Sequence, residues 1–198
     1  GLNEFVIRAI SKAKQEPGWM LQKRLDAFKL FKKLNNPKWG PDLSNINFNE
    51  YTYYVAATKQ IANDWADVPK AIKDTFNKLK VTEAEAKFLS GVNNQYDSEV
   101  VYNNIQKELK KKNVIFCNIE KALHICPNIV KQYFGKLVPP SDNKYAALNT
   151  AVWSGGSFIY IPKGVKLDKP LQAYFRINTR QMGQFERTLI IVEDKASL

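Results

Sequence analysis

The stretch "LQAYFRINTRQMGQFERTLIIVEDKASL", residues 171–198, decides the fold class. Apolar and polar residues alternate through "LQAYFRIN", a turn signal follows at Gly183, and "QFERTLIIV" runs on into the most apolar segment of the chain. A period of two is the signature of a strand. Leu171, Ala173, Phe175 and Ile177 therefore share one face, and Gln172, Tyr174, Arg176 and Asn178 share the other. Side chains two positions apart on a strand lie about 6.5–7 Å from one another and point the same way, so Arg176 and Asn178 project together. A cation beside an amide is able to position an anionic or sulfur-bearing group. A plain solvent-facing surface has the same pattern.

Working back toward the N-terminus, "SFIYI" precedes Pro162-Lys163-Gly164. Strand starts near Ser157, Leu171 and Gln184 are about evenly spaced, which suits a stacked β architecture: sandwich, barrel or solenoid. Composition changes at "VPPSDN", residues 138–143. We therefore expect two regions, a mainly helical one over residues 1–140 and a β region over residues 141–198.

The helical region is read from its periods and caps. Asn3 caps a helix that Pro17 ends. In "WMLQKRLDAFKLFKKL", Leu21, Leu25, Phe28 and Phe31 recur at three- and four-residue steps and so share a face, until Asn35, Asn36 and Pro37 stop the helix. Residues 37–67 read as a loop carrying Tyr51, Tyr53, Tyr54 and Trp65. Asp67 and Pro69 open a helix with Ile72, Phe76 and Leu79 on one side. Thr82 and Glu85 form a capping box for a further helix ended by Gly91. Ser98 is expected to cap another, through Lys112. A short strand over residues 114–117 follows, then small helices to Gly135, the second entered at Pro127.

Composition bounds the function. The 198 residues are 44% hydrophobic and 25% charged, ordinary globular values. The longest apolar run, Leu189-Ile190-Ile191-Val192, is far too short to span a bilayer. The start shows no signal-peptide layout, and a chain beginning at Gly1 is expected to have been trimmed. The net charge of +11 admits a basic nucleic-acid-binding module. Against that, the lysines are spread over helix faces, and the one block, Lys110-Lys111-Lys112, closes an expected helix where cations suit the dipole. Cys117, Cys126 and His124 lack metal-ligand spacing. Cys117, in "NVIFC", reads as a small buried hydrophobe. "SGGS", residues 154–157, lacks the lysine and spacing of a phosphate-binding loop. No nucleophile–base pair is visible, so the chain reads as non-enzymatic.

Long runs resemble a known family. "GLNEFVIRAISKAKQEPGWMLQKRLDAFKLF", "PKWGPDLS", "YDSEVVYNNI", "VPPSDNKYAALNTAVWSGGSFIYIPKGVKLDKPLQAYFRIN" and "GQFERTLIIVED" are similar, in order, to the start of SufB proteins. These are the scaffold subunits of the SUF iron–sulfur cluster assembly system, within the SufB/SufD family. The resemblance implies an α+β fold: an N-terminal helical region followed by the first coils of a right-handed parallel β-helix, truncated before the family's "EGCTAP" segment. It implies a non-enzymatic scaffold that accepts sulfur from a cysteine desulfurase and its sulfur carrier. The implied partners are the SufC ATPase and SufD or a second SufB, without nucleic acid or membrane. The iron–sulfur cluster would be assembled by the full-length protein, with none bound to this portion. The implied setting is the bacterial cytoplasm, or the plastid stroma. In "YFRIN", the family's sulfur path falls on Arg176 and Asn178. A guanidinium stabilises a persulfide or thiolate, and an amide orients it. No role carries over to Cys117 or Cys126. A structural β-solenoid adaptor of the same fold is the remaining alternative.

Overall fold

The computed structural model describes residues 1–55, 65–78, 91–97, 99–105, 107–177 and 180–198. Helix α1 (Glu4–Ala13) starts at Asn3, whose side chain accepts from the Val6 amide at 3.0 Å. Pro17 then leads into α2 (Gly18–Lys33). The buried stripe of α2 is Met20, Arg24, Ala27, Phe28 and Phe31. Leu21 and Leu25, expected on that stripe, are half-buried at its edge. Helix α3 (Lys70–Lys78) follows Pro69 and buries Ile72 and Phe76, as its spacing predicts. The expected helix between Thr82 and Gly91 lies outside the described residues.

The expected helix over residues 98–112 is a correction. Gly91 begins a strand, β1 (Gly91–Tyr96), and β2 (Glu99–Ile105) runs antiparallel to it. Among the described residues of that stretch, only α4 (Lys107–Lys111) is helical. Val100, Val101, Tyr102 and Ile105 are strand formers, and their preference outweighs the cap signal at Ser98. Strand β3 (Ile115–Asn118) and helices α5 (Ile119–Ile125) and α6 (Pro127–Tyr133) follow closely on the expected pattern.

A helix also comes where strands were expected. α7 (Lys144–Val152) is capped by Asn143, whose side chain accepts from the Tyr145 and Ala146 amides. Its three alanines favour a helix and let it pack closely. It is buried nearly all round, and with Ile7, Ile10, Ala27, Phe28 and Phe31 it forms one core. A second core gathers Met20, Cys117, Ile119, Ala122, Leu123, Val130, Phe134, Trp153 and Phe158.

The last strands are β4 (Ser157–Ile161), β5 (Leu171–Arg176) and β6 (Leu189–Val192). One sheet has the order β2-β1-β5 and the other β3-β4-β6. β5 is parallel to β1, and β6 is parallel to β4. Consecutive strands β4, β5 and β6 alternate between the sheets, so neither Gly164 nor Gly183 closes a hairpin. Both sheets combine strands from either side of residue 140. Phe158 faces Leu189, and beyond the turn Lys166 faces Ser197. The chain thus returns beside itself with a constant offset of 31 residues (158 to 189, 166 to 197).

Candidate functional site

Arg176 ends β5, and its side chain is exposed. Register places it beside Tyr96, with Phe175 beside Gln95 and Ala173 beside Asn93. Paired residues on neighbouring strands share a side of the sheet, so Arg176 lies on the side opposite Asn93, Gln95 and Phe175. That agrees with the alternation of the sequence. Asn178 lies outside the described residues. The apolar side of β5 ends uncovered: Phe175 is 39% exposed and Ile177 45%.

The main chain ties Arg176 to a buried polar seam. The Asp97 amide donates to the Arg176 carbonyl at 2.8 Å. The Asp97 carbonyl accepts from the side-chain amides of Gln95 at 3.1 Å and Gln184 at 3.3 Å. Gln95 also donates to the Ser154 carbonyl and accepts from the Gly156 amide at 2.7 Å. Asn93 donates to Ser157 Oγ at 2.8 Å. Asn93 and Gln95 have no exposed surface, and such groups are kept only when hydrogen-bonded.

Across the seam, Glu120 accepts from the Gly155 amide at 2.6 Å and pairs at 3.0 Å with Nζ of Lys14, the residue that caps the end of α1. The two glycine amides of the SGGS loop therefore go to Glu120 and Gln95, and that of Ser154 to the Phe185 carbonyl, unlike a phosphate cradle. Gly155 and Gly156 have φ of 73° and 104°. A side chain at Gly156 would strike the Arg187 backbone, so the close approach requires glycine there.

Arg187 holds the far end. It donates to Asn149 Oδ1 at 2.8 Å and lies 4.8 Å from the Phe134 ring centre, and burial lowers its pKa. The sequence did not reveal the seam, because residues 92–97 fall between two expected helices and the partners of Asn93 and Gln95 lie about sixty residues away. The one available signal was the polar alternation of "GVNNQYD" next to the glycine pair.

Burial disfavours the thiolate form of both cysteines. Burial, with a smaller effect of Cys126, pushes the Cys117 thiol up to about 12. Burial also raises Cys126. Among the described residues, no three His, Cys, Asp or Glu side chains gather as metal ligands. No described helix is long and apolar enough to cross a membrane.

Comparison with known proteins now bears on this arrangement. The model of the SufBD protein N-terminal region matches residues 8–173. The chain is 57% identical, over all of its length, to a protein of Staphylococcus haemolyticus (strain JCSC1435) named iron-sulfur cluster assembly SufBD family protein. It is 56% identical to proteins of the same family name in Staphylococcus aureus strains USA300 and NCTC 8325. It spans 43% of the length of each of these relatives. On the extent of these matches, the chain belongs to the SufBD family.

Proposed function

We propose that this chain is the N-terminal portion of a scaffold for iron–sulfur cluster assembly in the cytoplasm, of the SufB kind. The observation that carries the reading is identity of 57% over the whole chain to a relative named iron-sulfur cluster assembly SufBD family protein. The cluster is cargo of the longer protein, and sulfur reaches it from a cysteine desulfurase through a carrier. SufC, and SufD or a second SufB, are the proposed partners.

The geometry supports a β-helix start. The parallel β4–β6 ladder and the parallel Lys166–Ser197 bridge share one offset, as successive turns of stacked coils do. β3 runs antiparallel to β4 on the side where no earlier coil exists, so the helical region closes that end. The Arg176 main chain is fixed by Asp97 at the end of the polar seam, while its charged side chain is accessible on the opposite side of the sheet. We assign it and Asn178 to sulfur handling. Arg176 supplies a fixed cation for a persulfide anion, and Asn178 a neutral hydrogen-bonding group.

Complementation tests the reading. A bacterium depleted of its own SufB receives the full-length protein that carries this chain, and the activity of an iron–sulfur enzyme is followed. Restored activity is expected. Normal accumulation of the introduced protein without restored activity would overturn the proposal.

A further inference from the structure

The outer side of α5, α6 and the loop after them is unusual in both charge and apolarity. Their inner side is ordinary core: Ala122, Leu123, Val130 and Phe134 are buried with Trp153 and Phe158. Outward, Ile125 is 53% exposed, Tyr133 38%, Val138 54% and Leu137 96%. Lys121, His124, Lys131 and Lys136 are exposed among them. Residues 121–141 contain no Asp or Glu at all. Neither Lys131 nor Lys136 has an ion-pair partner among the described residues.

The exposed loop is also held in place. The Lys136 amide donates to the Tyr133 carbonyl at 3.2 Å, and the Asp142 amide to that of Pro139 at 3.0 Å. Arg187 Nη2 donates to the Val138 carbonyl at 3.3 Å, and Phe134 packs 5.5 Å from the Trp153 ring. Leu137 is thus presented on a braced turn, and a braced contact loses little entropy on binding.

We propose that this face docks an acidic protein segment that carries apolar side chains, with Leu137 as the anchor and Lys131 and Lys136 on the rim. Central apolar anchors surrounded by charge are the usual anatomy of a protein interface. The segment's own charge favours an acidic partner: residues 121–141 carry three lysines and no carboxylate, and the neighbouring Asp142 carboxylate is engaged by the Asn143 side chain at 2.7 Å. Nucleic acid fits less well. Three lysines spread along this segment are fewer than the six to ten phosphate contacts that make salt-dependent binding strong. They also fall short of the roughly four to eight clustered cations that read as an anionic-lipid site.

The test uses the full-length protein and a fluorescein-labelled peptide that repeats Leu-Glu-Glu-Leu. Controls are the same peptide with Lys for Glu, and with Ser for Leu. Anisotropy should report binding of the first peptide only. Leu137→Ser and the pair Lys131→Glu, Lys136→Glu should each weaken it about tenfold or more. Trp39→Ser, at an exposed aromatic outside this segment, should leave it unchanged. All these side chains are exposed, and circular dichroism checks that each variant is folded. Absence of peptide binding, or equal binding by the variants, would overturn the proposal. So would tighter capture, through the same residues, of phosphatidylglycerol vesicles or of a double-stranded DNA oligomer.

Discussion

The Arg24 guanidinium lies 4.5 Å from the centre of the Trp153 ring and donates to the Trp153 carbonyl at 2.8 Å. It also donates to the Ala151 carbonyl at 3.1 Å and makes a two-pronged pair with Glu16 at 2.8 and 2.6 Å. One buried cation therefore joins the start of α2 to the end of α7, where the chain turns into the SGGS loop. Neither Arg24 nor Glu16 has exposed side-chain surface. Arg24→Ala would strand a buried carboxylate and two carbonyls, at a cost of about 3–5 kcal/mol. Arg24→Lys should recover little, because the planar fork serves both prongs. Denaturant unfolding followed by tryptophan fluorescence measures both. Loss below about 1 kcal/mol for Arg24→Ala would contradict this reading of the pair.

Gly156 gives a second stability test. Its φ of 104° and the closeness of the Arg187 backbone leave no room for a Cβ. Gly156→Ala should cost about 1–3 kcal/mol from backbone strain alone, and more from the displaced 187 segment. Gly164, also at positive φ but facing open space, should show only the strain. Melting temperatures of the two variants compared side by side check the difference.

These two residues also mark what was legible in the sequence. The period of α2 placed Phe28 and Phe31 correctly, but Arg24 sits on the same stripe and nothing local tells a buried arginine from an exposed one. Its partners lie in Glu16 and in carbonyls more than a hundred residues away. The hairpin of β1 and β2 was hidden because a cap signal competed with the strand preference of Val100, Val101 and Tyr102. Ser98 looked like a cap, whereas the strand's parallel neighbour, β5, is distant in sequence. Starts at Ser157 and Leu171 were readable because each strand alternates under its own turn signals. The third began at Leu189 rather than near Gln184, since the Ser154 amide donates to the Phe185 carbonyl, and Asn149 to that of Glu186, before the ladder opens. Arg176 could be given a face from its period. Its link to the Asp97 amide could not, because that depends on register between strands.

Cys117 makes stability depend on pH. Its pKa is raised by burial from an ordinary 9.0 to about 12. The folded chain therefore holds a proton that the unfolded chain releases as pH passes 9. The stabilisation is complete below pH 9 and is lost as pH rises toward 12, with a slope of up to about 1.4 kcal/mol per pH unit. Tyr53, also raised to about 12, adds to the slope above pH 10. Cys117→Val should flatten the fall between pH 9 and 10, as read from denaturation midpoints. An unchanged slope would show that the thiol is not held protonated.

The uncovered ends of β5 and β6 predict self-association of the isolated chain. Ile190 is 49% exposed and Val192 44%, next to a strand edge that pairs only with β4 among the described residues. An open, apolar edge is a template for a second chain. The isolated 198-residue chain should bind a hydrophobic dye and sediment above its monomer mass. Ile190→Lys with Val192→Lys should reduce both signals. A dye-free monomer at high concentration would refute the idea.

Arg176 separates function from folding. Its side chain is exposed and lies opposite the apolar side of β5, so Arg176→Ala opens no core cavity. Stability should change by no more than about 0.5 kcal/mol, as for an ordinary surface substitution. The Asp97 amide is unaffected, because it donates to the Arg176 main chain. If a persulfide anion passes this point, losing the cation removes a charge-assisted contact of about 1.5–3 kcal/mol. Arg176→Lys should rescue only partly, since it keeps the charge without the planar fork. Asn178→Ala should act in the same direction but more weakly. The measurements are thermal melts of each full-length variant and complementation in cells depleted of their own SufB. Full complementation by Arg176→Ala would return this side of β5 to a plain solvent-facing surface. Failure that tracks a lowered melting temperature would make Arg176 structural, and failure at unchanged stability would support the sulfur-path role.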